Sequence, residues 1–210
     1  MSRKQLVSLN EADLKAAFEE QTLILCKPES VQLGVFAEIL SRLTRSYLKL
    51  NALKMFVFSE EAVLDFYGPV IEMWEPREKI VEIFLAMTRV PSVLAVYQGP
   101  NALAAGRKIA GGVPVYELDE NNRPELAGYE AQFKPIMAPM GTIRGDYSTA
   151  DIDIADTALL PVPNFVHASA SKAEFERETD SLRRHGILRE DDFFDYERPE
   201  WKVLYGDVER

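Results

Sequence analysis

The 210-residue chain has a single cysteine, Cys26, and only two histidines, His167 and His185. One thiol excludes an intrachain disulfide and a cysteine-based metal site, so a reducing compartment is the simplest setting and the cytoplasm the expected location. Positive charge is scarce as well: 24 lysines and arginines stand against 34 acids, for a net charge of −10. Such a chain lacks the broad cationic surface of a general nucleic-acid or anionic-membrane binder, and any phosphate it handles must meet a local cluster of cations. No apolar run approaches the ~18 residues of a membrane span. The first twenty residues mix Arg3, Lys4, Glu11, Asp13, Glu19 and Glu20 with apolar positions, unlike an export signal. Repeats and low-complexity tracts are missing too. What is there, 47% hydrophobic and 28% charged residues, is the composition of an ordinary globular domain able to bury one core.

Patterning divides the chain into a short helical extension over residues 1–20 and a domain over 21–210. Asn10 is placed to cap a helix over Glu11–Glu20, with Leu14, Ala17 and Phe18 on one face. Thr22–Cys26 is apolar enough for a strand buried on both faces, ended by Lys27-Pro28. Helical spacing returns between Gly34 and Tyr47, and Leu50–Phe58 reads as a second strand. Ser59 caps a helix through Tyr67, Arg77–Met87 predicts another helix, Ser92–Tyr97 a strand, and Asn101–Ala110 a helix stopped at Gly111-Gly112. Val113–Pro139 and Ser148–Pro163 show no sustained period and read as long loops or insertions. Asn164–Ala168 predicts the last strand and Ser171–Arg184 the last long helix, closed by Gly186. This order fits the α/β (α+β) class: a ferredoxin-like split β-α-β fold with a four-stranded antiparallel sheet covered by helices.

Chemistry concentrates at few positions. His167 lies in Asn164-Phe-Val-His-Ala-Ser, at the end of the predicted last strand, and Glu178 follows eleven residues later in the returning helix. An imidazole held by an acceptor at one nitrogen exposes a lone pair at the other and acts as a nucleophile. Taken alone, the pair fits a structural histidine as well. Two cations favour the chemical reading: Lys27 at a strand end, and Arg144 within Gly141-Thr-Ile-Arg-Gly-Asp, where glycines allow close approach to a phosphate. Asp151, Asp153 and Asp156 lack the glycine and terminal glutamate of a calcium loop and read as a solvated acidic loop. His185 suits a helix C-terminus, and Cys26 a small core residue.

With those segments in place the chain resembles the nucleoside diphosphate kinases. The resemblance rests on Thr22-Leu-Ile-Leu-Cys-Lys-Pro-Glu, Gly34 with Glu38-Ile39, Ala52-Leu-Lys, Gly141-Thr-Ile-Arg-Gly-Asp, Asn164-Phe-Val-His-Ala-Ser and Glu178. It extends to a tail with Asp195-Tyr196 and Trp201-Lys-Val-Leu-Tyr. It implies that His167 takes the γ-phosphoryl group of a nucleoside triphosphate and passes it to a nucleoside diphosphate in a ping-pong cycle. It also implies Lys27 on the transferred group, Arg144 on the phosphates, Asn164 on the sugar, and Tyr67, Ser169 and Glu178 around the histidine. Arg77 matches a second phosphate arginine, and Val113 falls where the family carries a threonine. The same resemblance implies Mg²⁺ bound mainly through nucleotide phosphates with no protein metal site, ATP and other nucleotides as partners, and a homo-oligomer. Departures from the family pattern are Lys79 at the base-stacking phenylalanine, with Ile80 or Trp74 as substitutes, and Ala168 and Ala170 after the strand histidine. An alternative from another class is a nucleotide-binding interaction protein of the same fold with weak or lost turnover.

Overall fold

The structure, a computed structural model, describes residues 10–46, 48–73, 75–118, 124–130, 135–149 and 164–194. Its centre is a four-stranded sheet in the order β2 (Lys49–Phe56), β3 (Ser92–Gln98), β1 (Gln21–Cys26), β6 (Val166–Ala168), with every pairing antiparallel. This is the split β-α-β arrangement expected from the alternation of apolar runs and helical periods. β1 and β3 lie in the middle because their side chains are apolar in both directions, and almost every residue in them is buried.

Helices cover both faces. Leu23, Leu25, Leu94 and Val96 point into one layer with α4 (Glu60–Phe66), α6 (Arg77–Leu85) and the long C-terminal helix α9 (Lys172–Arg184). Ile24, Cys26, Val93, Ala95 and Tyr97 point into the other, against α3 (Phe36–Thr44) and α7 (Ala102–Ala110). The period of two therefore sends alternate residues of one strand into two separate cores. Cys26 is fully buried in the second, as its position in the strand suggested, and burial pushes its thiol up to about 12.

Start and stop signals hold where side-chain chemistry is local. Asn10 and Asp13 form a capping box on α1 (Glu11–Glu19), and Ser59 and Ser171 cap α4 and α9. Two short helices escaped the sequence reading: α2 (Pro28–Gln32), opened by a proline at its first turn, and α5 (Gly68–Glu72). The helix expected over Arg77–Met87 ends at Leu85 and tightens into a 3₁₀ turn.

The reading of Val113–Pro139 as a long loop is corrected. It contains an antiparallel ribbon, β4 (Val113–Leu118) with β5 (Pro124–Glu130), and β5 lies against α7. The two strands pair with a register shift between Val115 and Tyr116. That irregularity and the prolines erase the alternation by which a strand is recognised. The expected irregular stretch at Ser148–Pro163 and the tail with Asp195, Tyr196 and Trp201–Tyr205 lie mostly or wholly outside the described residues.

Candidate active site

β6 is only three residues long, and His167 is its middle one, paired with Leu25 of β1. Two residues earlier Phe165 adopts a left-handed conformation at φ 62°, sparsely populated for a bulky residue. Its backbone is held on both sides: its N–H donates to Glu29 Oε1 at 3.0 Å and its carbonyl accepts from Lys27 N–H at 2.9 Å. This crossing brings the Lys27 end of β1 to the start of β6, so two segments 140 residues apart share one site.

α9 then folds back over the sheet and delivers Glu178, fully buried, to the imidazole. His167 Nε2 and Glu178 Oε1 are 2.7 Å apart, and Ser169 Oγ donates to Glu178 Oε2 at 2.7 Å. Burial raises the Glu178 carboxyl, but His167, Ser169 and Arg177 outweigh that effect and hold it below its ordinary value. An ionised carboxylate only accepts hydrogen bonds, so Nε2 carries the proton and, in the neutral imidazole, the lone pair sits on Nδ1. The imidazole remains partly exposed at 16%. Phe66 and Tyr67, at the end of α4, stand edge-on to it with ring centroids at 5.5 and 6.1 Å.

Cations line the same cleft. Lys27 Nζ lies 5.8 Å from the Tyr67 ring centroid. Burial pulls its ammonium down to about 8; Glu29 works against that shift and Arg144 adds to it. Arg144 sits in α8 (Ile143–Tyr147), is 5% exposed, and donates from one terminal nitrogen to the Val166 carbonyl at 2.9 Å. Burial and the neighbouring Arg107 bring it down to about 10 against the pull of Tyr67, still charged at neutral pH. The loop before α8 is tightly stitched: Asp146 accepts from Gly141 N–H at 2.7 Å and from Arg42 of α3 at 2.7 Å.

Arg107, which the sequence reading did not single out, belongs to this group. It is buried on α7, donates to the Ala168 carbonyl at 3.2 Å, and burial lowers its guanidinium against Glu174 and Glu178. A signal was present. Ala102, Gly106 and Ala110 form a stripe of small buried residues on α7, and Arg107 beside it is a charge where packing alone calls for none. Several buried polar atoms of this cleft have no hydrogen-bond partner among the described residues: Arg144 Nε and Nη1, Arg107 Nε, Tyr67 OH and Asn164 Oδ1. Buried polar groups are almost always paired, so a cluster of exceptions in one place is the mark of a ligand site.

The structure thus brings together Lys27, Tyr67, Arg144, Asn164, His167, Ser169 and Glu178. Arg77 is exposed at the start of α6 with its Nε 3.7 Å from Glu75. Val113 opens β4 directly after Gly112, its side chain outside the described residues, as is Trp74. Ile80 packs against the core, which leaves Lys79 half-buried beside it. His167, Glu174 and Glu178 place ligand-type atoms within 4.8 Å of one another. Both Glu178 oxygens already serve His167 and Ser169, and Glu174 accepts from Ala170 N–H at 2.6 Å. This donor set suits orientation of the imidazole, and the surrounding cations suit phosphate oxygens.

The chain is also similar to known proteins. The family model described as nucleoside diphosphate kinase matches residues 20–184. A nucleoside diphosphate kinase of Pyrobaculum aerophilum is 34% identical, with 76% of this chain and 92% of the relative covered. One from Pyrococcus abyssi is 32% identical over 87% of this chain and 92% of its own. The crystal structure of an NDP kinase from Pyrobaculum aerophilum superposes with a TM-score of 0.62 at 31% identity, covering 84% of this chain and 99% of that one.

Proposed function

The chain belongs to the nucleoside diphosphate kinase family, and we propose that His167 is the residue through which it passes the γ-phosphoryl group from a nucleoside triphosphate to a nucleoside diphosphate. The observation that carries this assignment is the buried chain Ser169–Glu178–His167 at 2.7 Å per link beside Lys27, Arg107 and Arg144. Nδ1 attacks the γ-phosphorus, the bond to the β-γ bridging oxygen breaks, and its electron pair leaves with the nucleoside diphosphate. Nε2 keeps its proton, donated to Glu178, which stabilises the positive charge that develops on the ring. A second nucleoside diphosphate then reverses these events. A protein that only bound nucleotides would have no use for an imidazole oriented in this way, which favours turnover over the interaction-protein alternative.

In this reading Lys27 meets the transferred group, Arg144 and Arg107 neutralise the phosphates, and Asn164 faces the sugar. Arg77 is left as an outer contact at the rim, and Val113 marks where the ribbon begins beside the phosphates. Mg²⁺ fits the site as an ion carried by the nucleotide, because the side chains around the phosphates are cations; when bound it neutralises β- and γ-oxygen charge. The substrates are ATP and other nucleotides. We take the cytoplasm as the compartment, which the reduced, buried Cys26 suits; among the described residues no helix is long and apolar enough to cross a membrane. A homo-oligomer is part of the same proposal. Leu53, Met55 and Val57 are exposed along and just beyond β2, a sheet-edge strand, and an apolar edge of this kind is suited to cover by a second copy.

The test is to incubate the protein with γ-labelled ATP and Mg²⁺, locate the label, and add GDP. Label on His167 that GDP removes supports the assignment; label elsewhere, or label that GDP leaves in place, sinks it.

Two further outcomes follow from the same residues. With Lys27 pulled down to about 8, its charge is lost as pH rises through that value. KM for the nucleotide then climbs up to about eightfold between pH 7.5 and 9, the ratio of charged lysine at those two values. Lys27→Arg, which stays charged, flattens that rise; a wild-type KM that does not change over this range would refute it. The linked effect on stability has the opposite direction. The unfolded lysine, at 10.5, binds more protons than the folded one between about pH 8 and 10.5, so the contribution of this group to stability grows across that window. The second outcome concerns the base. Stacking an aromatic ring on a base contributes ~1 to 3 kcal/mol. Lys79→Phe accordingly lowers KM for several nucleotides together, by up to about tenfold, with little change in kcat. Steady-state kinetics with ATP, GTP and CTP decide this: a KM that stays put shows that the base is already held by another residue.

A further inference from the structure

Two polar ties join the end of α4, which carries Phe66 and Tyr67, to α9, which carries Glu178. The outer tie is built on Asp65, whose Oδ2 accepts from Ser181 Oγ at 2.7 Å and Arg184 at 2.7 Å and lies 3.1 Å from His185 Nε2. The inner tie is Arg177. One terminal nitrogen of its guanidinium donates to the Phe66 carbonyl at 2.8 Å, and the other lies 3.4 Å from Glu178 Oε1. That oxygen is the same one that meets His167 Nε2, and the Phe66 ring is the one that stands edge-on to the imidazole.

Adjacent residues of a helix do not face each other, so contact between Arg177 and Glu178 is not a local default of α9. It arises because the Arg177 side chain turns toward the C-terminal end of α4, where a cation is favoured by the carbonyls, and reaches the carboxylate on the way. A planar fork with several donors serves two acceptors at once; a lysine's single ammonium satisfies them less well.

We propose that Arg177 is a positioning residue for phosphoryl transfer, one guanidinium fixing both the carboxylate that orients His167 and the aromatic wall against which the imidazole packs. The proposal rests on His167 being the phosphorylated residue. Arg177 touches neither the nucleotide-binding cations nor the imidazole itself. It acts by keeping Glu178 ionised and in place, so that Nδ1 is aimed at the γ-phosphorus. Small misplacements of a reacting group cost up to about a hundredfold in rate. Loss of one of several restraints on Glu178 belongs lower in that range.

The test compares Arg177→Met, Arg177→Lys and Arg184→Gln in the full chain, with single-turnover labelling by γ-labelled ATP, nucleotide KM and thermal melting. Arg177→Met is expected to label to the same stoichiometry as wild type, with the rate of phosphoenzyme formation down about tenfold and KM within twofold. Arg177→Lys recovers only in part, to a rate about threefold below wild type. Arg184→Gln, which cuts only the outer tie, lowers the melting temperature and leaves the rate within twofold. If Arg177→Met does not fold, Arg177→Lys decides: a rate about threefold down at full labelling supports the proposal, and an unchanged rate overturns it. A wild-type rate in Arg177→Met, or a rate that falls only in proportion to the labelled fraction, overturns it as well. Label that never reaches His167 in the wild type would defeat the underlying reading together with this one; label on His167 with an unaffected Arg177→Met defeats the role of Arg177 alone.

Discussion

His167→Ala abolishes formation of the phosphoenzyme and lowers nucleotide transfer by about a thousandfold or more, while the fold survives. The size follows from what is removed: the atom that forms the bond in the proposed reaction, rather than a group that steadies it. The other residues of the site are untouched, so nucleotides still bind through Lys27, Arg107 and Arg144, and KM or a direct binding measurement changes little. Survival of the fold is expected because the imidazole is partly exposed and the strand around it is held by backbone pairing with β1. The variant does leave Glu178 buried without one of its two 2.7 Å partners, although Ser169 and Arg177 still hold it. A loss of about 1 to 3 kcal/mol of stability is in proportion to one lost charge-assisted hydrogen bond. The checks are acid-labile labelling, transfer kinetics and a melting curve measured on one preparation. Transfer at a tenth of the wild-type rate by His167→Ala would remove this residue from the reaction.

Gly145→Ala is expected to have the second-largest effect, and for a steric reason. A Cβ at this position would stand 2.1 Å from the Pro139 carbonyl oxygen and 2.8 Å from that of Ala138. Both are backbone atoms, so the clash cannot be relieved by turning a side chain. The segment from Ala138 to Thr142 has to move away from α8. Thr142 caps that helix and Gly141 is tied to Asp146, so the start of α8 moves with it, and Arg144 lies in its first turn. Overpacking costs of about 3 kcal/mol are typical where backbone must shift. For a chain of this length that lowers the melting temperature by roughly 10 °C. The kinetic signature is a nucleotide KM raised about tenfold, because the guanidinium proposed to bind phosphate has left its place. Calorimetry and steady-state kinetics check the two halves separately. An alanine variant with unchanged melting and KM would show that the loop yields without displacing Arg144.

Both predictions depend on a site whose parts were legible in the sequence to very different degrees. The residue types and their motifs were visible at once: a strand-end lysine, an arginine between glycines, and a histidine followed eleven residues later by a glutamate. The alternation of apolar strands and amphipathic helices likewise carried the fold class, because side chains that must leave water repeat with the period of the element they lie on. Capping by Asn10, Ser59 and Ser171 was readable for a related reason, since such hydrogen bonds span three residues and need no tertiary partner.

What the chain could not disclose by itself was whatever depends on a partner distant in sequence. Arg107 beside its stripe of small residues stands out as a charge, but its place in the cleft is set only when α7 is laid against β1 and β6 and the guanidinium arrives at the Ala168 carbonyl. Arg177 reads as a solvated neighbour of Glu178 until the end of α4 comes within 2.8 Å. The ribbon of β4 and β5 was hidden because among the described residues its strands pair only with each other, across an irregular register, with β5 against α7. Local hydrogen bonding and hydrophobic periodicity are written residue by residue. The burial of a charge is decided only when two remote segments meet, and in this protein that meeting gathers scattered cations into one cleft, the proposed phosphate site.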